Sequence, residues 1–316
     1  MAYKIIFFGT SDFAVPSLKA LAEDKGYKIA GIVTQPDRPV GRHADLTPPP
    51  IKAVAEELGI QPIWQPEKIK DLKDMDYLFH GNDTTDNKID AFVIISYGKI
   101  LPDWLLQIPS HGVVNVHPSL LPRWRGPSPI QAAITAGDET TGVTIMKIDT
   151  EMDHGPILAQ KQVKIDARDD SRTMSERLSK LGADMLKDVL AGYLEGKIQP
   201  REQDHAKATY CKILSRDDGR LDFTRPAIEL DRQVRACNPW PGAWTIINGK
   251  RLKILVAAVG HENKGTNPGE LFHYYDRPFF SCVDGSSLEL TFVQPEGKKP
   301  MYGEVWFQGA RKSLGF

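Results

Sequence analysis

Lys4-Ile5-Ile6-Phe7-Phe8-Gly9-Thr10-Ser11-Asp12-Phe13 reads as a buried strand, a tight turn and the entry to a helix. A short apolar run closed by glycine fits a strand covered on both faces. The pattern continues outward from it. Asp12 to Ala22 reads as a helix, Lys28 to Thr34 as a second strand, and Pro50 to Leu58 as a second helix ended by Gly59. Ala91 to Ser96, Gly112 to His117, Gly142 to Asp149 and Ile157 to Ile165 supply further strands. Ser171 to Tyr193 sets Met174, Leu178, Leu181, Met185 and Val189 at helical spacing, with Asp170 or Ser171 as a candidate cap. This alternation predicts an α/β fold, with a Rossmann-like, doubly wound and largely parallel sheet carrying helices on both faces.

The composition changes after Gly196 to Ala208, a polar stretch holding Pro200 that reads as a linker. Leu221 to Phe223, Trp244 to Ile247, Leu252 to Val256, Glu270 to Phe272, Phe279 to Val283 and Leu288 to Val293 read as short strands. Asn248-Gly249 favours a tight hairpin turn with positive φ. Such punctuation suggests a small C-terminal β-barrel of the oligonucleotide-binding (OB-like) type. The expected organisation is therefore 1–195 catalytic, 196–208 linker and 209–316 barrel.

A chain of 316 residues with 41% hydrophobic and 26% charged side chains suits a globular protein. Its net charge of −1 implies no general affinity for nucleic acid. From Lys207 onward, however, 16 basic side chains face 12 acidic ones. Three scattered cysteines, without a CxxC pair, fit a reducing cytoplasm and argue against disulfides and a structural metal. No signal peptide precedes the first strand, and no apolar run approaches a membrane span. The turn after the first strand has Gly9 but neither GxGxxG nor GKS/GKT, so no dinucleotide is expected there.

The stretch Asn115-Val116-His117-Pro118-Ser119-Leu120-Leu121-Pro122 carries the chemistry. Strand residues two apart share a face, so Asn115 and His117 should point together past the strand end. Pro118 breaks the ladder and Pro122 stiffens the loop. A second strand-like run leads into Glu151-Met152-Asp153-His154-Gly155-Pro156. Each residue alone has an ordinary reading: a structural histidine, a turn-capping asparagine, a loop acid at Asp149 or Asp153. Together they suit acyl transfer to an amine, which passes through a tetrahedral species bearing an oxyanion and an ammonium. An amide can donate to the oxyanion, an imidazole can donate or accept a proton, and a carboxylate can orient the imidazole.

These residues, with Arg123-Trp124-Arg125-Gly126 and Asp149-Thr-Glu-Met-Asp153-His-Gly-Pro-Ile157, resemble the formyltransferase family that uses 10-formyltetrahydrofolate. Gly9 to Pro16, Thr34 to Arg42, Cys237 to Trp244 and Gln294 to Lys299 are similar to members acting on methionyl-tRNA. The resemblance spans nearly the whole chain. It implies a catalytic set of Asn115, His117 and Asp153. It implies folate binding by Ser119, Leu120, Leu121 and Pro122 and by the segment holding Tyr97, Gly98, Ile100 and Leu101. It further implies that residues 36–49 form an inserted loop clamping the tRNA acceptor end, with Arg38 and Arg42 as contacts and Phe13 near the methionyl pocket. The implied reaction moves a formyl group from 10-formyltetrahydrofolate to the α-amino group of initiator methionyl-tRNA, without metal or covalent intermediate. A cytoplasmic monomer is expected. Formylation of a sugar nucleotide, folate hydrolysis and non-catalytic RNA binding are the alternatives. The first two should lack the Arg38–Arg42 loop and the Trp240/Trp244 motif. The intact Asn/His/Asp set speaks against the third. The sequence departs from the family at His154, where threonine is usual, at Pro127-Ser128, and after Arg42, where a lysine pair is common.

Overall fold

The computed structural model describes residues 2–40, 44–75, 88–260 and 267–316. It forms two compact units: Met1–Pro127, Thr141–Val163 and Ser175–Cys211 in the first, Ser128–Thr140, Lys164–Met174 and Lys212–Phe316 in the second.

The first unit is built on a seven-stranded sheet. Its strands are β1 (Tyr3–Gly9), β2 (Tyr27–Val33), β5 (Ile63–Trp64), β6 (Ala91–Ile95), β7 (Val113–His117), β8 (Thr140–Lys147) and β9 (Ile157–Lys164), in the order β5-β2-β1-β6-β7-β8-β9. The ladders from β5 to β7 are parallel, and β8 runs antiparallel to β7. The chain builds one half outward from β1 to β5, then returns to β6 on the other side. That reversal leaves a crevice at the carboxyl ends of β1 and β6, where open α/β sheets bind ligands. β1 and β6 are almost wholly buried, as their unbroken apolar runs require. Ile6, Phe8, Val33, Trp64, Phe92, Ile94 and Tyr97 share one core cluster. Gly9 has a packing reason: a Cβ there would lie 2.8 Å from the Phe7 ring and 3.1 Å from the Ile95 carbonyl.

The helix expected after β1 begins as a single 3-10 turn, Asp12–Ala14, before Val15–Glu23 continues as α-helix. The long helix runs Ser171–Leu194 and is capped by Asp170, whose carboxylate accepts the Thr173 N–H at 2.8 Å. The inserted loop contains a small hairpin of β3 (Arg38–Val40) and β4 (Asp45–Thr47). Arg42, at its tip in sequence, lies outside the described residues.

In the second unit β10 (Ala243–Ile247), β11 (Lys250–Gly260), β12 (Leu271–Tyr274), β13 (Arg277–Ser281), β14 (Ser287–Pro295) and β15 (Met301–Tyr302) form an antiparallel sheet. Its order is β10-β11-β14-β13-β12, with β15 on β14, a sheet compatible with the small barrel expected. Asn248 and Gly249, at φ 49° and 75°, make the two-residue turn between β10 and β11. Leu221 to Phe223 is not a strand but an irregular segment leading into a turn; Leu221 donates its N–H to the Trp244 carbonyl at 2.9 Å. Two helices go beyond the short-strand expectation, Ala227–Cys237 and Gly303–Leu314. Their apolar residues Ala227, Leu230, Val234 and Cys237, and Trp306 and Phe307, join Leu252, Ile254, Leu288 and Val293 in one core. The 3,4,3 spacing of the first set is the sequence signal for that helix.

Trp244 is buried in this unit, with its ring 4.1 Å from the Arg251 guanidinium and its Nε1 donating to the Arg216 carbonyl. Trp240 is exposed. The two tryptophans of the motif therefore differ: one is core, the other faces solvent.

Candidate active site

β7 lies between β6 and β8, with Asn115 opposite Ile94 and Met146, and His117 opposite Thr144. The period of the strand puts Asn115 and His117 on one face. Asn115 is half-buried, and its side-chain amide has no hydrogen-bond partner among the described residues. His117 is buried. Its Nε2 lies 2.9 Å from the Trp124 carbonyl, which can only accept, so Nε2 carries a proton. Nδ1 is thereby the nitrogen that faces Asp153, whose Oδ1 is 3.6 Å away.

Asp153 is held from several sides. Its Oδ2 accepts the Gly126 N–H at 2.8 Å. Its backbone sits in the left-handed region at φ 49°, uncommon for a residue with a side chain. Gln203 donates to the Asp153 carbonyl at 2.9 Å and to the Gly155 carbonyl at 2.7 Å. Asp149, the alternative acid, is engaged locally: it accepts the Glu151 N–H at 3.0 Å and His154 Nδ1 at 2.7 Å. Among the described residues the carboxylate brought to His117 is thus Asp153.

Gly126 is required by two independent facts. It has φ 114°, and a Cβ would lie 2.4 Å from the Cys211 carbonyl. Gly126→Ala is expected to destabilise the protein by about 2–4 kcal/mol and to move the amide that holds Asp153. A thermal melt together with the turnover of the folded fraction checks both effects.

The loop after β7 is fixed by Thr144 and Gln160, neither apparent as a site residue from the sequence. Thr144 Oγ1 donates to the Ser119 carbonyl at 2.6 Å and accepts the Leu121 N–H at 3.1 Å. Gln160 donates to the Leu121 carbonyl at 2.8 Å and to Thr144 Oγ1 at 2.9 Å. The Ser119 hydroxyl donates to the Arg123 carbonyl at 2.6 Å. Leu120 and Pro122 are half-buried, while Ser119 and Leu121 are buried.

The segment after β6 comes beside the turn after β1. Thr10 and Gln35 both donate to the Tyr97 carbonyl, at 3.1 and 3.0 Å, and Ser11 donates to Ser96 Oγ at 2.7 Å. The Tyr97 ring packs edge-on against Phe8, and burial pushes its phenol up to about 12. Gly98 has φ 82°. Leu101 is buried, whereas Ile100 is 79% exposed and is not gathered with the others. Phe13 is half-buried on its 3-10 turn, which Ser179 fixes by donating to the Phe13 carbonyl at 2.7 Å. Arg38 is exposed and paired with Glu67 at 3.1 Å. Arg42 lies outside the described residues.

A neutral amide donor beside an imidazole backed by a carboxylate can stabilise an oxyanion and move a proton, the two tasks of acyl transfer. Among the described residues no cluster of three or more His, Cys, Asp or Glu side chains offers a metal site. No helix among them is long and apolar enough to cross a membrane.

Residues 3–190 match the formyl transferase family model, and residues 213–311 match the formyl transferase C-terminal domain. The chain is 43% identical over 307 residues to a methionyl-tRNA formyltransferase of Chloroflexus aggregans, covering 97% of both chains. It is 43% identical over 318 residues to that of Roseiflexus sp., covering all of this chain and 95% of the relative. An N-formyltransferase from Helicobacter canadensis, solved with folinic acid and dTDP-3-aminofucose, shares the fold at TM-score 0.68 and 17% identity, covering 93% of this chain and 100% of that one. With both of its domain models matched in order and relatives similar from end to end, the chain belongs to the formyltransferase family.

Proposed function

We propose that this chain transfers the formyl group of 10-formyltetrahydrofolate to the α-amino group of initiator methionyl-tRNA, giving N-formylmethionyl-tRNA for translation initiation. One observation supports it above the others: His117 and Asp153 meet at the end of β7, on a chain similar along its whole length to enzymes named for that reaction. The folate supplies the formyl carbon. In this reading the amine attacks that carbon, a new C–N bond forms, and the bond to the folate nitrogen breaks. Asn115, whose amide is uncommitted, donates to the oxygen as it becomes anionic. His117 is fixed through Nε2 on Trp124, so Nδ1 exchanges the proton, assisted by Asp153 Oδ1. The proton lost by the amine returns to the folate nitrogen. Ser119 to Pro122, with Tyr97, Gly98 and Leu101, line the folate, and Phe13 the methionyl side chain.

The test is a choice of amine. Incubated with 10-formyltetrahydrofolate, the protein should formylate Met-tRNA and leave a 4-amino-sugar nucleotide untouched; the opposite selectivity would overturn the reading.

We assign the inserted hairpin and the C-terminal domain, from residue 209, to RNA contact, and place the enzyme in the cytoplasm as a monomer. The surplus of basic residues after Lys207 and the exposed Trp240 and Arg38 support the RNA assignment. Phosphate contacts release counterions and weaken as salt rises. Arg42→Ala is therefore expected to raise the KM for Met-tRNA, flatten its salt dependence by roughly one charge, and leave folate binding intact. An unchanged salt slope removes Arg42 from the RNA contact.

A further inference from the structure

Arg125 is the largest fully buried side chain among the described residues, at 2% exposure. It stays inside because its own backbone is paired: its N–H donates to the Thr209 carbonyl and its carbonyl accepts the Cys211 N–H, both at 2.8 Å. A buried cation is costly unless its hydrogen bonds are met. The guanidinium meets neutral partners. Nε and Nη2 donate to the Gln203 amide oxygen at 3.2 and 2.8 Å, Nη2 also donates to His205 Nδ1 at 2.8 Å, and Nη1 reaches the Tyr210 hydroxyl at 3.4 Å. Among the described residues no carboxylate pairs with it. His205 in turn stacks on His154 at 3.9 Å, and His154 donates to Asp149.

Gln203 is the member of this network that hydrogen-bonds the backbone of the catalytic loop. It is 5% exposed and uses every polar atom. Its oxygen takes the two guanidinium bonds, and its nitrogen donates to the carbonyls of Asp153 and Gly155. An amide whose oxygen is bound to a cation is a stronger donor through its nitrogen, because hydrogen bonds in a chain polarise one another. The guanidinium also fixes which way the amide faces: the oxygen must point at Arg125, so the NH2 must point at the loop. The loop needs such a clamp, since it bends through Asp153 in a left-handed conformation. The Gly126 amide ties the carboxylate itself, whereas Gln203 ties the backbone that carries it.

We propose that Gln203, oriented by the buried Arg125, is a positioning residue that holds the Asp153 loop so that Oδ1 faces His117. This rests on the assignment of Asp153 to the catalytic set. The reaction is more sensitive than the fold to this clamp, because a shift of about 1 Å in a reacting group costs on the order of 100-fold in rate.

Gln203→Glu separates the two halves of the residue. A carboxylate keeps the bonds to Arg125 and adds an ion pair, but presents oxygen instead of N–H to two carbonyls. The ion pair offsets part of that repulsion, so the variant should remain folded and bind tetrahydrofolate with unchanged stoichiometry. Per folate-binding site, kcat should fall by about 10- to 100-fold with both KM values within about twofold. Gln203→Met fills similar volume with no oxygen to repel the carbonyls, and should show the same loss of kcat. Gln203→Asn keeps both amide functions on a shorter stem and should recover part of the rate. A folded Gln203→Glu or Gln203→Met with kcat within about twofold of wild type overturns the proposal. So does failure of both to fold, which would make Gln203 a residue of the fold alone. Asp153→Ala, measured alongside, keeps the two claims apart. If Asp153→Ala is inactive while the Gln203 variants are active, the positioning role fails and the catalytic reading stands. If Asp153→Ala is active, the catalytic reading itself fails.

Discussion

Asn115→Ala is expected to lose about 2–4 kcal/mol of transition-state stabilisation, roughly 10²- to 10³-fold in kcat, the typical cost of removing one oxyanion donor. Its stability should stay within about 0.5 kcal/mol of wild type. The structure supports that separation: the amide is half-buried and bonded to nothing among the described residues, so truncation strands no partner. His117→Ala is a less clean change. It should cost a comparable or larger factor in rate, since a positioned acid–base group contributes about 10²- to 10⁴-fold. It also takes from the half-buried Trp124 carbonyl its 2.9 Å donor, with the Cys211 thiol at 4.0 Å a weak substitute, a loss of about 1 kcal/mol in stability. Asn115→Ala is therefore the sharper experiment. Normal turnover by the folded variant would reject the oxyanion assignment. Denaturant melts beside single-turnover rates distinguish lost chemistry from lost fold.

Asp153→Asn should damage catalysis far more than Asp149→Asn. The asparagine can turn its amide oxygen to the Gly126 N–H and keep the anchor at Oδ2. What changes is the atom facing His117 Nδ1, which becomes an amide donor in place of an anionic oxygen. Proton exchange with Nδ1 then loses its partner, and a fall in kcat of about 10²- to 10⁴-fold follows. Asp149 serves its own loop, accepting from Glu151 N–H and from His154. An asparagine can keep one of these bonds, so its kcat should stay within about threefold of wild type, as for a surface change away from the reacting atoms. Rates with saturating Met-tRNA and folate give the order; a more severe loss at Asp149 would reject the assignment of the acid.

Local features of this protein are legible in the amino-acid order because they depend on short-range rules. The buried strand Tyr3–Gly9 follows from an unbroken apolar run, and the shared face of Asn115 and His117 follows from a period of two. The Asn248-Gly249 turn follows from the need for two positive φ angles, and the start of the Ser171–Leu194 helix from a carboxylate free to cap it. What joins distant segments was not legible in that way. Arg125 stands in Arg123-Trp124-Arg125, which by composition is an exposed basic loop. Only the pairing of Thr209 and Cys211 across it makes it a buried cation. Gln203 lies in a stretch polar enough to be taken for a linker, Gly196 to Ala208. Its value comes from lying between Arg125 and the carbonyls of Asp153 and Gly155. Thr144 and Gln160 are ordinary strand residues until the loop after His117 folds back onto them. Sequence alone determined which residue types stand at the strand ends. The tertiary structure decided which carboxylate faces the imidazole and what holds it there, because hydrogen bonds between segments far apart in sequence leave no periodic mark in the chain.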